Sequence, residues 1–185
     1  MACALVSLNS TTACPDNTGG LDYSYVCKLE DIDAITVTSG IVSGLTMATT
    51  GLFKKLQYDK NDTSRFDQVG ERTNETGAMR YNAEAFLQFG GMSSTYKTWA
   101  DGAADCCALV FIHFLTSGVS VIQGIEIDSA ATGGFTGTKI RDTKIVPSQM
   151  SGTAAEEARL EVLIRGRSKK LAPFTDLTAT EIEAL

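Results

Sequence analysis

The amino-acid sequence predicts a mainly β protein of the α+β class, a β-sandwich or half-barrel with one packed α-helix and a long β-hairpin. Apolar and polar residues alternate along most of the chain, which is the period of a β-strand, whereas a long helical period occurs only after Gly90-Gly91. Strand segments lie before and after this helix, an order that is typical of packed sheet layers. The 185 residues fit a single domain, residues 1–185.

An extended N-terminal arm is predicted over residues 1–28. Pro15-Asp16-Asn17 and Gly19-Gly20 mark turns between its short extended pieces. The following stretch, Ile32 to Met47, is rich in β-branched residues and is interrupted by two glycines, as a strand pair or a bulged strand would be. The first quarter of the chain is therefore expected to be extended throughout.

A long polar hairpin is predicted over residues 52–72, with its turn at residues 60–63. The residues on both sides of this turn alternate with a period of two, but neither face is richly apolar, so burial of its own surface cannot hold the hairpin in place. Pairing edge to edge with copies of itself would satisfy its backbone groups by closing a barrel. This favours an assembly protein, and a hairpin that protrudes from a monomer is the alternative.

The remaining elements follow from the same periods. A strand from about Met79 to Phe89 is followed by one amphipathic helix, which Ser93 or Ser94 is placed to cap. The apolar residues at helical spacing are Met92, Tyr96, Trp99, Ala103 and Cys106. Further strands are predicted at Ala108 to Leu115 (buried on both faces), Val119 to Asp128, Thr138 to Val146 and Arg159 to Arg165. The C-terminal tail, residues 171–185, carries a capping-box pattern at Thr178 and Glu181 and is either a short docking helix or frayed.

Composition excludes several classes of protein. A net charge of −6 argues against a sequence-specific reader of nucleic acid, because such proteins carry basic patches. The single basic cluster, from Arg165 to Lys170, is read as a solvated strand end. The longest apolar run, Ala108 to Leu115, is shorter than the roughly 20 residues of a membrane span. With no basic leader before the short apolar patch at Ala4, no secretory signal and no membrane partner are expected, and synthesis is expected in the cytoplasm.

No cofactor, metal or catalytic site is predicted, and an enzyme is not expected. His113 is the only histidine and lies within an apolar strand, so a core position with one satisfied nitrogen is favoured over a nucleophile pair with Cys106 or Cys107. Cys3, Cys14 and Cys27 are expected to be reduced, although their spacing would permit a disulfide under oxidising conditions. The acidic groups are read as surface residues at strand ends: Glu30, Asp31, Asp33, Glu126 and Asp128.

Several stretches of the sequence occur in a characteristic order. They are the opening MAC with C-x-D-x-x-GG-L, then EDIDAITVTSGIV, FKKLQYDK, TSRFDQVGE and MRYNAEAFLQFGGM leading into a helix. Together they resemble the tail tube proteins of tailed bacteriophages, especially those of Bacteroidetes-type hosts. The resemblance covers roughly residues 1 to 130 and rests on the order and pattern of these stretches. It implies a tail-tube-like fold and a structural protein of the virion tail that is assembled in the host cytoplasm.

The resemblance further implies a homohexamer whose rings stack into a hollow tube for genome ejection. The implied partners are other copies of the chain, other tail proteins (tape measure, terminator and possibly a sheath) and viral DNA in transit. The hairpin would line the lumen and join neighbouring subunits, and the arm and the loop from Arg72 to Gly77 would contact adjacent rings. The candidate hairpin residues are Lys54, Lys55, Gln57, Asp59, Lys60, Asp62, Arg65, Asp67 and Glu71.

An acidic lumen would repel the phosphates of passing DNA, but the lysines and the arginine of this set balance its acids. The alternatives are a tail terminator or head-tail connector ring, the inner tube of a contractile injection system, a cysteine-dependent enzyme that uses His113, and a monomeric binding module.

Overall fold

The computed structural model describes residues 8–9, 20–49, 52–58, 64–72, 77–90, 94–105, 108–129, 134–150 and 159–185. The predicted mainly β fold is confirmed, since strands dominate and the described residues form two α-helices and one 3₁₀ turn. The strands are β1 (Leu8–Asn9), β2 (Leu21–Lys28), β3 (Ile32–Thr38), β4 (Ile41–Met47), β5 (Lys54–Gln57), β6 (Arg65–Arg72), β7 (Met79–Gly90), β8 (Leu109–Leu115), β9 (Ser120–Gln123), β10 (Ile125–Ser129), β11 (Phe135–Lys139), β12 (Lys144–Met150), β13 (Arg159–Ser168) and β14 (Phe174–Thr175). The helices are α1 (Ser94–Ala104) and α2 (Ala179–Ala184), and the 3₁₀ turn is Leu29–Asp31.

Two large sheets form the layers of the fold. An eight-stranded sheet has the order β1-β5-β2-β8-β9-β14-β4-β3, and an all-antiparallel four-stranded sheet has the order β12-β13-β7-β6. The pair β10-β11 forms a third, small sheet. The predicted central strand is confirmed as β8, which is hydrogen-bonded between β2 and β9.

The first hydrophobic core lies between the two large sheets. Phe111 of β8 faces Leu87 of β7 and Val162 of β13, and all three are fully buried. Helix α1 closes this core with Trp99, whose ring lies 6.1 Å from that of Phe89. The predicted helix and its buried face are confirmed, while Met92, Ser93 and Cys106 lie outside the described residues.

A second core covers the opposite face of the eight-stranded sheet. Because successive strand residues point to opposite faces, β8 sends Phe111 into the first core and Ile112 into the second. Strands β3 and β4 and helix α2 complete the second core, where Ile182 of α2 is fully buried. Both faces of the central strands are therefore covered.

The C-terminal tail ends in a docked helix and is not frayed. Thr178 caps α2 by accepting from the Glu181 amide, and the Glu181 carboxylate accepts from the Thr178 amide at 2.8 Å. The capping box predicted from the sequence is thus confirmed.

The hairpin predicted over residues 52–72 is wrong in its pairing. Strand β5 pairs with β1 and β2 in the eight-stranded sheet, whereas β6 pairs with β7 in the four-stranded sheet. Leu56 of β5 and Phe66 of β6 therefore enter the first core from the two opposing sheets. Alternation is the same when two strands form a hairpin and when they lie in different sheets, and the burial of these two apolar residues favours the second arrangement. The predicted turn at residues 60–63 lies outside the described residues.

A long hairpin does exist one strand further along the chain. Strands β6 and β7 pair antiparallel from Arg65 opposite Phe86 to Arg72 opposite Met79. Of the predicted loop from Arg72 to Gly77, residues 73–76 lie outside the described residues. The long β-hairpin of this protein is therefore β6-β7, and its second strand also pairs with β13 in the four-stranded sheet.

Three other strand predictions need correction. The last eight residues of the predicted arm form β2, which is hydrogen-bonded between β5 and β8, while most of residues 1–19 lie outside the described residues. The predicted strand from Thr138 to Val146 is divided between β11 and β12, which belong to different sheets. The predicted strand from Val119 to Asp128 breaks at Gly124, where β9 ends and β10 begins.

The pair β3-β4 is confirmed, and positive φ angles at Ser39 (53°) and Gly40 (81°) are typical of its type I′ turn.

We expect Gly124→Ala to lower the free energy of unfolding by about 2 kcal/mol or more. Gly124 has φ +103°, and an added Cβ would lie 2.7 Å from the Leu109 carbonyl oxygen. Gly118→Ala is the matched control, because its φ is +81° but nothing lies within 4 Å of the added Cβ, so about 1 kcal/mol is expected. Urea unfolding of both variants measures the difference, and equal losses would contradict a steric cost at Gly124.

Candidate functional site

The nine predicted hairpin residues do not form one surface. Lys54, Lys55 and Gln57 lie on β5 in the eight-stranded sheet. Arg65, Asp67 and Glu71 lie on β6 in the four-stranded sheet. Asp59, Lys60 and Asp62 lie outside the described residues. The structure thus places the described members of the set on the two opposing sheets of the sandwich.

Lys55 contacts other residues of the same chain. Its Nζ lies 4.7 Å from the Tyr23 ring centroid and 3.8 Å from the Glu183 carboxylate of α2. The same carboxylate accepts a 2.5 Å hydrogen bond from the Tyr25 hydroxyl. Burial, and then the neighbouring Glu183, raise the pKa of Tyr25. These contacts attach the C-terminal helix to the eight-stranded sheet, a structural role that the sequence did not indicate.

The four-stranded sheet presents a solvent-facing side opposite the first core. Asp67 on this face forms an exposed 2.7 Å ion pair with Arg65, and Glu84 pairs with Arg165 across β7 and β13 at 3.0 Å. The Arg65 guanidinium also lies 5.7 Å from the Phe86 ring centroid. The remaining residues of this face follow from strand alternation and pairing: Arg80 and Asn82 on β7, Glu161, Leu163 and Arg167 on β13, Lys144, Val146 and Ser148 on β12, and Val69 and Glu71 on β6. Its charges are mixed in sign.

Among the described residues, β6 and β12 are the end strands of this sheet, and their outer edges are called the open edges below. Within the described part of the chain, no strand pairs with the outer side of either. Each carries an exposed apolar residue on the solvent-facing side, Val69 at 59% exposure and Val146 at 48%. An eight-residue strand at the edge of a sheet is a template for pairing with another chain.

His113 is the centre of a buried hydrogen-bond chain. Its Nδ1 lies 2.8 Å from the Ser24 hydroxyl, which lies 3.0 Å from the Tyr58 hydroxyl. Its Nε2 lies 3.1 Å from Gln123 Oε1, and the Gln123 amide donates to the Ala83 carbonyl at 3.0 Å. The chain therefore links the eight-stranded sheet to β7 across the sandwich.

The partners of His113 assign its tautomer. Because Gln123 Oε1 only accepts, Nε2 carries the proton, and Nδ1 accepts from the Ser24 hydroxyl. Ser24 in turn accepts from Tyr58. Burial lowers the pKa of His113 to about 4, against the smaller opposing effect of the Gln123 bond, so the imidazole is neutral at pH 7. Both nitrogens are satisfied, which is one more than the sequence predicted.

This arrangement is suited to holding the sheets together. Ser24 and His113 resemble a nucleophile and its base in type, but both are fully buried, and the Phe66 and Phe111 rings lie 5.2 and 5.7 Å from the imidazole. The small pocket beside Gln123, at Thr143 and Gly166, has a volume of about 10 Å³, enough for one water molecule. Among the described residues, no cluster of three or more possible ligands could hold a metal ion.

One of the two acidic groups singled out in the sequence, Glu126 and Asp128, contacts the basic cluster. Lys170 of the basic cluster forms a 2.6 Å ion pair with Asp128, and the Lys169 amide donates to the Glu126 carboxylate. The Lys170 bond lowers the pKa of Asp128. These contacts fasten the end of β13 to β10, so neither group is left as a separate site.

The part of the chain that the structure describes has no helix of the length and apolarity that a membrane crossing requires. No protein-family model, curated protein or solved structure matches this chain.

Proposed function

We propose that this chain is a structural virion protein whose copies form hexameric rings that stack into a hollow tail tube. The proposal combines the family resemblance of residues 1 to 130 with one structural observation. That observation is the four-stranded sheet, whose outer edges, β6 and β12, are open among the described residues. Edge-to-edge pairing of such sheets removes exposed strand edges by closing a barrel.

The strand directions support a ring of this kind. Three successive antiparallel pairs separate β12 from β6, so the two end strands run in opposite directions. When copies are related by rotation about a ring axis, β12 of one copy therefore meets β6 of the next in an antiparallel sense. An even number of antiparallel strands in each copy is what a closed antiparallel barrel needs.

In this ring the solvent-facing side of the four-stranded sheet would line the lumen. The lumen residues would then include Arg65, Asp67 and Glu71, whereas Lys55 would lie on the other sheet with its Glu183 partner. Because this face mixes charges of both signs, DNA in transit would pass a surface that is not uniformly acidic. Compensated charges also avoid a strong attraction for phosphates.

Negative-stain electron microscopy and sedimentation of the purified chain test this function. We expect hollow rings and stacked tubes whose amount increases with protein concentration. Rings that never stack would indicate a tail terminator or connector. A uniformly monomeric protein at high concentration would contradict the proposal.

His113→Gln is the matched variant that separates assembly from catalysis. Since His113 is fully buried between the sheets, the variant is expected to form the same rings at neutral pH wherever it folds. Loss of rings in a folded His113→Gln protein would count against an assembly surface formed by the sheet edges.

A further inference from the structure

The two outer edges of the four-stranded sheet, to which no described strand is paired, carry complementary side chains. On the solvent-facing side, β6 presents Arg65, Asp67, Val69 and Glu71, and β12 presents Lys144, Val146 and Ser148. Each edge thus combines charged or polar residues with one exposed valine. Antiparallel pairing places residues of the same sheet face opposite each other. The possible registers therefore differ from one another by two residues or a multiple of two.

We propose that β6 of one copy pairs antiparallel with β12 of the next copy, with Glu71 opposite Lys144 and Val69 opposite Val146. This inference rests on the proposed function and specifies its interface. Opposite charges and apolar pairs at directly opposed positions stabilise a sheet, whereas like charges destabilise it. Asp67 then lies opposite Ser148, a polar pair.

The neighbouring registers are less favourable. A shift of two residues in one direction puts the charged Glu71 opposite Val146 and the apolar Val69 opposite Ser148. A shift of two residues in the other direction puts the apolar Val69 opposite Lys144 and the charged Asp67 opposite Val146. A shift of four residues puts Asp67 opposite Lys144, but it leaves Val69 and Glu71 beyond the start of β12 at Lys144. A shift of six puts Arg65 opposite Lys144, which is a pair of like charges. The proposed register also pairs residues 65–71 with the full length of β12, Lys144–Met150.

The strand stagger in this register agrees with barrel geometry. Within one copy, the row of directly paired residues runs from Lys144 through Arg165 and Glu84 to Asp67. Placing the next Lys144 opposite Glu71 shifts the row by four residues over four strands, or one residue per strand. The shear of a barrel is the total shift in residues around its circumference, so a shift of one residue per strand makes the shear equal to the number of strands. In eight-stranded barrels the same ratio gives a strand tilt of about 36°, which lies in the usual range for closed barrels.

Pro147 on β12 modifies the backbone pairing. It lies opposite Gln68 in this register, and because proline has no N–H, this position supplies no donor to the ladder. Side-chain complementarity at Glu71 and Val69 therefore has to select the register, and these positions are the ones to test.

Charge reversal tests the interface directly. Glu71→Lys and Lys144→Glu each oppose like charges at every contact, and we expect each variant to need about tenfold more protein to assemble than wild type. An equal mixture of the two variants should assemble like wild type, because the two reversed edges meet in one interface and the two unchanged edges meet in the next. Sedimentation and negative-stain microscopy measure the amount of assembled protein.

Asp33→Lys on β3 is the matched control, since Asp33 is exposed and lies on the other sheet, away from the two edges. Unchanged thermal unfolding shows that all variants fold. If wild type assembles and each reversed variant assembles equally well, the proposed register is wrong while the tube proposal stands. If wild type does not assemble, both fail.

Discussion

Phe89→Ala is expected to lower the free energy of unfolding by about 3–5 kcal/mol, the usual cost of removing a large aromatic side chain from a packed core. Phe89 is fully buried at the end of β7. Its ring centroid lies 6.1 Å from Tyr58, 5.6 Å from Tyr96 and 6.1 Å from Trp99. It thereby joins the eight-stranded sheet, the four-stranded sheet and helix α1 at one point, and its loss leaves a cavity that three elements must collapse to fill.

Phe174→Ala is the matched control for this prediction. Phe174 has the same side chain but is 57% exposed, so its removal should cost less than about 1 kcal/mol. Denaturant unfolding of both variants gives the comparison. Similar losses for the two phenylalanines would show that Phe89 does not join the layers as described.

Acid is expected to destabilise the fold through His113. The pKa of this histidine is about 4 in the folded protein and about 6.5 in the unfolded chain, so the unfolded chain binds more protons between these values. The stabilisation is therefore complete above pH 6.5 and is lost as the pH falls toward 4. By linkage the loss between pH 7 and pH 4 is about 3 kcal/mol from this one group.

His113→Gln measures this contribution by difference. The variant has its own cost in packing, but it should remove the His113 part of the slope of stability against pH between 6.5 and 4. Carboxylates with a lowered pKa, such as Asp128 and Glu181, affect wild type and variant alike, and their contribution cancels in the difference. Parallel curves for the two proteins would mean that His113 is not neutral and buried in the folded state.

Local patterns were sufficient to predict most elements. The apolar run of β8, the helical spacing of Tyr96, Trp99 and Ala103, and the capping box at Thr178 each depend on residues close in sequence. The inward faces of β13 and α1 were predicted for the same reason. His113 was correctly placed in the core, but its partners Ser24 and Gln123 come from other strands and gave no signal in the sequence.

The sequence by itself determined where most strand segments lie, which faces of β13 and α1 are apolar and where the C-terminal helix begins. Only the tertiary structure decided which strands are neighbours. Residues 52–72 alternate equally well in a hairpin and in two strands of different sheets, and Leu56 and Phe66 favour the second arrangement because it buries them in one core from opposite sheets. Likewise, Gly124 divides one alternating run between two sheets, because its backbone angle turns the chain. Periodicity encodes the direction of a side chain, whereas strand pairing depends on long-range burial, which a local pattern does not contain.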